Sequence, residues 1–334
     1  MKKYLYGFLF AFITSITLYI LISGFTGFYE NIKAFAFFNW KFLLIALLVI
    51  ILKWFIESFI IKILLKDISI KHALNFTLIG QFYSYLTPFY TGGQPIQILY
   101  ISRFGIDPAR ATAIILFKTF LFQIILASFG VFSTIYSILY LNIDVIIASI
   151  IGTLLNLLAV FLIIFYIINQ NASIKTTLYF ANLLKKIGLL KNPEKYIDTI
   201  IEKVKTFILI FKEEAKNFKK ITLIVFLSIL QFSCSFMVLP IILQGYGINI
   251  SLNTISRSII TQISSSIIPT PGTAGGAEGI FLLLFKDILN IHKLNATIVL
   301  WRFSIYYFVL LIGGIVVLLN HKNSIMKKIK KPAE

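Results

Sequence analysis

Tyr85-Leu86-Thr87-Pro88-Phe89-Tyr90-Thr91-Gly92-Gly93-Gln94-Pro95 lies in the middle of one apolar stretch, and Ile268-Pro269-Thr270-Pro271-Gly272-Thr273-Ala274-Gly275-Gly276-Ala277-Glu278 lies in another. Both contain Thr-Pro-x-x-x-Gly-Gly, and the two copies are 183 residues apart, from Thr87 to Thr270. A proline inside a helix removes an N–H and crowds the preceding turn, and a glycine pair adds further freedom, so neither stretch can be one continuous helix. Each reads as a broken helix that descends, turns and returns.

The rest of the chain says what surrounds these breaks. Of 334 residues, 58% are hydrophobic and 13% charged, with mean hydropathy +0.91. A soluble domain carries about 25% charged residues. A single soluble core cannot hide this much apolar surface, so the composition describes an integral membrane protein. The net charge is +18, from 31 Lys+Arg against 13 Asp+Glu. Cys234 is alone, and His72, His292 and His321 have no zinc spacing, so no disulfide, metal or cofactor is expected.

A bilayer core needs about 20 apolar residues per helix. Full spans are predicted at 4–23, 42–65, 109–137, 145–168, 221–243 and 294–320, with broken segments at 73–102 and 255–289. The first span follows Lys2-Lys3 without a small-residue cleavage site and reads as an uncleaved helix. Residues 1–168 form an N-terminal membrane half and 221–320 a C-terminal one. Between them lies a polar segment, 169–220, and after them a tail, 321–334. In the polar segment Asn192-Pro193-Glu194 reads as a helix start. Behind it Ile197, Ile200, Ile201, Val204, Ile208, Phe211, Ala215 and Phe218 recur at helical spacing, giving an amphipathic helix for the membrane surface or the bundle, or for a partner protein.

The basic residues sort by loop. Lys2/Lys3, Lys66/Lys71, Arg103/Arg110, the 169–220 segment and the tail are basic, whereas 141–144 and 244–254 are nearly uncharged. If 73–102 enters from the cytoplasm and returns to it, nearly every basic loop and both termini are cytoplasmic. Segment 255–289 must then dip in from outside. The expected fold is therefore all-α, with about six transmembrane helices and two re-entrant broken helices in an inverted repeat, a plan of many secondary transporters. The lysines flank spans on one side without the interleaved aromatics of a nucleic-acid groove, so nucleic acid is not an expected partner.

Non-helical backbone at membrane depth must be buried in protein or line water. The half-helix after each glycine pair would aim its N-terminus at the midplane, where its N–H groups favour an anion. Gly92, Gly93, Gly275 and Gly276 would let a ligand approach or simply let the hairpins pack. Thr87, Thr91, Gln94, Thr270 and Gly272 complete the two candidate tips. Lys118 and Arg302, 184 residues apart, recur in the span that follows each tip. A cation inside a span costs at least about 2.5 kcal/mol and must face protein or water. Both are candidate phosphate-binding cations, with snorkelling or a partner such as Glu278 as the structural alternative. Glu278, beside its glycine pair, suits a helix cap as well as a proton carrier. Lys53 and Glu57, four apart, are expected to pair with each other. Arg257 opens the second hairpin, and Gln81, Gln94, Gln97, Gln123 and Gln262 either line a path or bond between helices. No catalytic triad, paired-carboxylate motif, P-loop or metal spacing is present in the sequence.

The blocks YLTPFYTGGQPIQILYISRFGIDPARATAIILFKTF (85–120) and PTPGTAGGAEGIFLLLF (269–285) resemble the lysylphosphatidylglycerol synthase transmembrane-region family of flippase-like, YbhN-type proteins, over most of the chain. The resemblance implies a lipid-handling protein of the cell membrane. In full-length synthases such a module is associated with flipping aminoacylated phosphatidylglycerol, and a separate soluble domain transfers the amino acid. That domain is not expected here. The leading expectation is a translocase of an anionic or aminoacylated phospholipid, with membrane phospholipids as partners. Phosphatidylglycerol lysyltransferase activity, tied to antimicrobial-peptide resistance and exerted alone or with a separate synthetase, is one alternative. A transporter subunit for a polyprenyl-linked sugar or small anion, working with a glycosyltransferase, is the other.

Overall fold

The computed structural model describes residues 27–66, 68–186, 197–266 and 268–329. The expected span at 4–23, the Asn192-Pro193-Glu194 start and the last residues of the tail lie outside them. Among the described residues the protein is all-α and has five helices long and apolar enough to cross a membrane. It is an all-α multi-pass membrane protein.

A short helix α1 (Phe28–Ala36) precedes α2 (Lys41–Leu65). The 25 residues of α2 reach about 37 Å at 1.5 Å each, enough for a core of about 30 Å. Next come α3 (Ile70–Tyr85), a single turn at Pro88–Tyr90, and α4 (Gly93–Arg103). The spans α5 (Pro108–Tyr140) and α6 (Ile143–Ile168) are joined by Leu141 and Asn142. Asp107 caps α5 by accepting from the Arg110 N–H, with Pro108 at the first helical position. The polar segment forms α7 (Gln170–Lys186) and α8 (Ile197–Lys216). Val204, Phe207, Ile208 and Phe211 of α8 are buried, with Phe211 against Phe117 and Phe120 of α5. The amphipathic helix thus packs on the bundle.

The second half repeats the first. It comprises α9 (Phe218–Gln244), α10 (Leu252–Ser265), a single turn at Pro271–Thr273, and α11 (Gly276–Phe285). Then α12 (Ile291–Arg302), a π turn at Phe303–Tyr307 and α13 (Phe308–Ile329) follow. Shifted by 183 residues, α2, α3, α4 and α5 fall on α9, α10, α11 and the α12–α13 run. The repeat seen as seven letters is therefore a repeat of four elements. The corresponding helices α2 and α9 pack along each other at the centre, α3 folds back on α4, and α10 on α11. Leu44, Leu48, Leu52, Phe55 and Phe59 form an exposed stripe on α2, and α6 and α13 expose further leucines and isoleucines, as lipid-facing helices do.

The two breaks share a backbone conformation as well as letters. Phe89 has φ 54, ψ 18, and its counterpart Gly272 has φ 60, ψ 18. The next residues, Tyr90 and Thr273, have φ 56 and 55. Left-handed backbone is costly for any residue but glycine, and three of these four positions lack glycine, so the surrounding contacts must hold the turns. The turns hold each other: the tips meet, and the Tyr90 hydroxyl lies 3.1 Å from Thr273 Oγ1. Repeat-equivalent residues in direct contact place the pseudo-twofold relation at the tips.

Candidate functional site

A cavity of about 310 Å³ opens where the hairpin tips, α2, α5, α9 and α12 converge. Its wall is unusually polar for membrane depth: Lys53, Glu57, Gln81, Gln94, Gln97, Lys118, Gln231, Gln262 and Arg302 all line it, with Ser84, Ser235, Ser258 and Thr273. Both halves contribute.

Lys118 comes from α5 and donates to Glu57 Oε1 at 2.8 Å and to Gln97 Oε1 at 3.5 Å. Glu57 Oε2 accepts from Gln81 Nε2 at 2.8 Å. One carboxylate thus gathers α2, α3 and α5. Glu57, expected to pair with Lys53 one turn earlier, bonds Lys118 instead. Lys53 lines the cavity and has no ion pair or hydrogen bond among the described residues. The reason is the cost of burial. Lys118 and Glu57 are both almost fully enclosed, and a buried ion left without a partner is costly.

Arg302 is held more completely. Its Nε donates to Glu278 Oε1 at 2.7 Å and its Nη2 to Glu278 Oε2 at 2.8 Å. Nη1 and Nη2 also donate to the carbonyls of Gly272 (2.9 Å) and Thr273 (3.1 Å). Glu278 in turn accepts from the Gly275 N–H at 2.8 Å, capping α11. The N-terminus of α11, expected to attract an anion, already holds an internal one. Gly272 is required here twice: its φ is positive, and a Cβ would lie 2.1 Å from the Tyr306 ring.

The first tip is built differently. Thr87 Oγ1 accepts from the Gly92 N–H at 2.8 Å and donates to the carbonyls of Tyr83 (3.0 Å) and Ser84 (3.1 Å). Thr91 is exposed and donates to Pro88 O at 3.0 Å. Gly93 is where α4 touches α3, because a Cβ there would lie 2.3 Å from Gly80 O. The counterpart of Glu278 in α4 is Pro95, so the Gly92 N–H, the counterpart of the Gly275 N–H, is taken by the neutral Thr87 hydroxyl and not by a carboxylate.

Of the residues singled out in the sequence, Lys118, Arg302, Gly93 and Gln94 line the cavity. Thr87, Thr91, Gly92, Thr270, Gly272, Gly275, Gly276 and Glu278 shape the tips behind it, Thr270 by donating to Ala274 O at 2.9 Å. Gln81, Gln97 and Gln262 face the cavity, whereas Gln123 bonds Asn156 Oδ1 between helices at 2.7 Å. Arg257 is buried away from the cavity and pairs with Asp287 at 2.5 and 2.8 Å, locking the two ends of the second hairpin together. Sequence reasoning missed Lys53 as the unpaired cation, and Gln231 and Tyr90 as parts of the wall. A signal for the first existed: Lys118 needs a carboxylate at its own depth, and Glu57 is the acid within the neighbouring span.

This architecture defines a multi-pass membrane protein with an internal repeat and a polar cavity between its halves. The family described as "Lysylphosphatidylglycerol synthase TM region" matches residues 6–313, and the chain belongs to that family. It is also 25% identical over 288 residues to a UPF0104 membrane protein of Archaeoglobus fulgidus, covering 83% of this chain and 86% of that one.

Proposed function

We propose that the protein is a flippase-like lipid translocase of the cell membrane that moves an anionic phospholipid between leaflets. The observation that carries this reading is the polar cavity where two corresponding hairpin tips meet between two membrane halves. A lipid cannot cross unless its head group finds polar partners at the midplane, and broken helices in repeat proteins supply them there. A volume of about 310 Å³ is at the lower end of small-molecule sites. It suits a head group, with the tails left in the bilayer. The positive-inside pattern supports a cytoplasmic side for both termini and the 169–220 segment, and on this reading the head group enters from that side. Lys118 and Arg302, held by their carboxylates, form fixed parts of the wall. Rocking of one half against the other, hinged at the Tyr90–Thr273 contact, would open the cavity to either face.

Reconstituted vesicles carrying a head-group-labelled phospholipid test this reading. Added protein is expected to bring the label in the inner leaflet within reach of an external quencher faster than protein-free vesicles do. Equal rates for every lipid class would overturn it.

A further inference from the structure

Among the described residues, Lys53 is the cavity-lining cation that bonds no carboxylate. Lys118 and Arg302 are bonded to Glu57 and Glu278 at 2.8 and 2.7 Å. Three basic side chains thus stand against two carboxylates among the described residues, and Lys53 is the one left without a bonded partner. Each carboxylate already holds a cation: Glu57 takes Lys118 on one oxygen and Gln81 on the other, and Glu278 takes Arg302 on both and the Gly275 N–H.

Two further features point to the kind of ligand. The α4 N-terminus, with Gly93 and Gln94 in the cavity wall, ends in N–H groups that have no intrahelical acceptor. Pro95 stands where the other half has its capping glutamate. Gln231 of α9 is 3% exposed, lines the same cavity, and its Oε1 has no hydrogen-bond partner among the described residues. An isolated buried acceptor is costly, and a ligand hydroxyl would satisfy it.

We propose that the cavity is a site for a singly charged phosphodiester with a hydroxylated head group. Lys53 and the α4 N-terminus take the phosphodiester, and Gln231 accepts from a head-group hydroxyl. The same site disfavours a head group that carries added ammonium groups, because Glu57 and Glu278 are each already paired with a cation, and an added ammonium would meet Lys53 as well. The proposal rests on the lipid-translocase reading and narrows its substrate to the non-aminoacylated anionic lipid.

The test is binding, measured on the purified protein in detergent by native mass spectrometry, with no leaflet crossing involved. The probes are phosphatidylglycerol, lysyl-phosphatidylglycerol, phosphatidylcholine and water-soluble glycerophosphoglycerol. Phosphatidylglycerol is expected to bind at least about tenfold more tightly than the lysylated and choline lipids. Lys53→Gln is expected to lose at least about tenfold in phosphatidylglycerol affinity, and Lys53→Arg to stay within about threefold of the native protein. Equal native affinity for phosphatidylglycerol and its lysylated form overturns the proposal, even if no Lys53 variant folds. So does unchanged binding in Lys53→Gln. Glycerophosphoglycerol competing as well as the intact lipid, in a Lys53-dependent way, supports the phosphodiester site and assigns it to a soluble ligand. Lys53-dependent lipid binding without any leaflet exchange likewise keeps the site and removes the translocase reading. Leaflet exchange that Lys53→Gln leaves untouched does the reverse.

Discussion

Glu278→Gln is expected to destabilise the protein by about 3 kcal/mol, toward the lower end of what breaking a buried ion pair costs. The figure follows from what the substitution leaves behind. Arg302 stays enclosed and charged, and keeps its bonds to the carbonyls of Gly272 and Thr273. The new amide can still accept one of the two bonds that Glu278 now receives. What vanishes is the countercharge. Arg302→Met leaves the opposite problem, a buried carboxylate with the Gly275 N–H as its donor, at a similar cost of about 3 kcal/mol. The double variant removes both charges and leaves two carbonyls without a donor, at about 1–2 kcal/mol. It should therefore be more stable than either single variant, with a coupling of roughly 4 kcal/mol between the two sites. Equilibrium unfolding in mixed micelles, followed by the fluorescence of Trp301 beside Arg302, measures all three. Additive losses in the double variant would refute the reasoning. So would Arg302→Met unfolding like the native protein while lipid transport stops, since Arg302 would then act on substrate and not on the tip.

Three further perturbations probe the scaffold. Gly93→Ala should prevent the first hairpin from closing, because the new Cβ would meet the backbone carbonyl of Gly80 at 2.3 Å. A loss above about 3 kcal/mol, or failure to obtain monodisperse protein, is expected, and Ser84→Ala should not rescue it. Tyr90→Phe removes the hydrogen bond between the tips and should cost about 1 kcal/mol, with a non-additive response when combined with Thr273→Val. Burial pushes the Asp287 carboxyl up, but the hydrogen bonds and charge of Arg257 outweigh it and hold the carboxyl below its ordinary 3.8. A depressed acid contributes stability above its unfolded pKa and loses it as pH falls through the folded one. The native protein should therefore lose stability below about pH 4 more steeply than Asp287→Asn, as acid-titrated unfolding would show.

Much of this architecture was legible in the letters, and the reason is the bilayer. Long apolar runs have one solution in lipid, so the spans from residue 42 onward follow from length and composition alone. Pro88 and Pro271 fixed where the helices must break, and Thr-Pro-x-x-x-Gly-Gly marked the breaks as a pair. Pairing of charges was not legible in the same way. Lys53 and Glu57 are neighbours on one helix face, and local spacing favours their union. Tertiary packing decided otherwise, because the fold brings the enclosed Lys118 of α5 to 2.8 Å from Glu57. The Tyr90–Thr273 contact was hidden for a different reason: sequence gives the offset of a repeat but not the axis that relates its copies.

The repeat is faithful in backbone and unfaithful in charge, and the difference gives the cavity its polarity. Each half sets a cation on the helix after its hairpin, Lys118 in one and Arg302 in the other. In the second half the countercharge rides on the hairpin itself, at Glu278, so tip, cap and cation form one bonded unit. In the first half the corresponding position is Pro95, and the countercharge has moved to Glu57 on the central helix α2. The first hairpin is thus tied to its cation by neutral amides alone, directly by Gln97 at 3.5 Å and through Glu57 by Gln81 at 2.8 Å, whereas in the second the cation makes two bonds to Glu278 and two to the tip. A neutral amide yields more easily than a bidentate ion pair. On the translocase proposal, the first hairpin is consequently the one expected to shift on anion binding at Lys53. The transport prediction is directional: Gln97→Leu should alter the rate of leaflet exchange while leaving stability within about 1 kcal/mol, whereas loss of Glu278 should lower stability first.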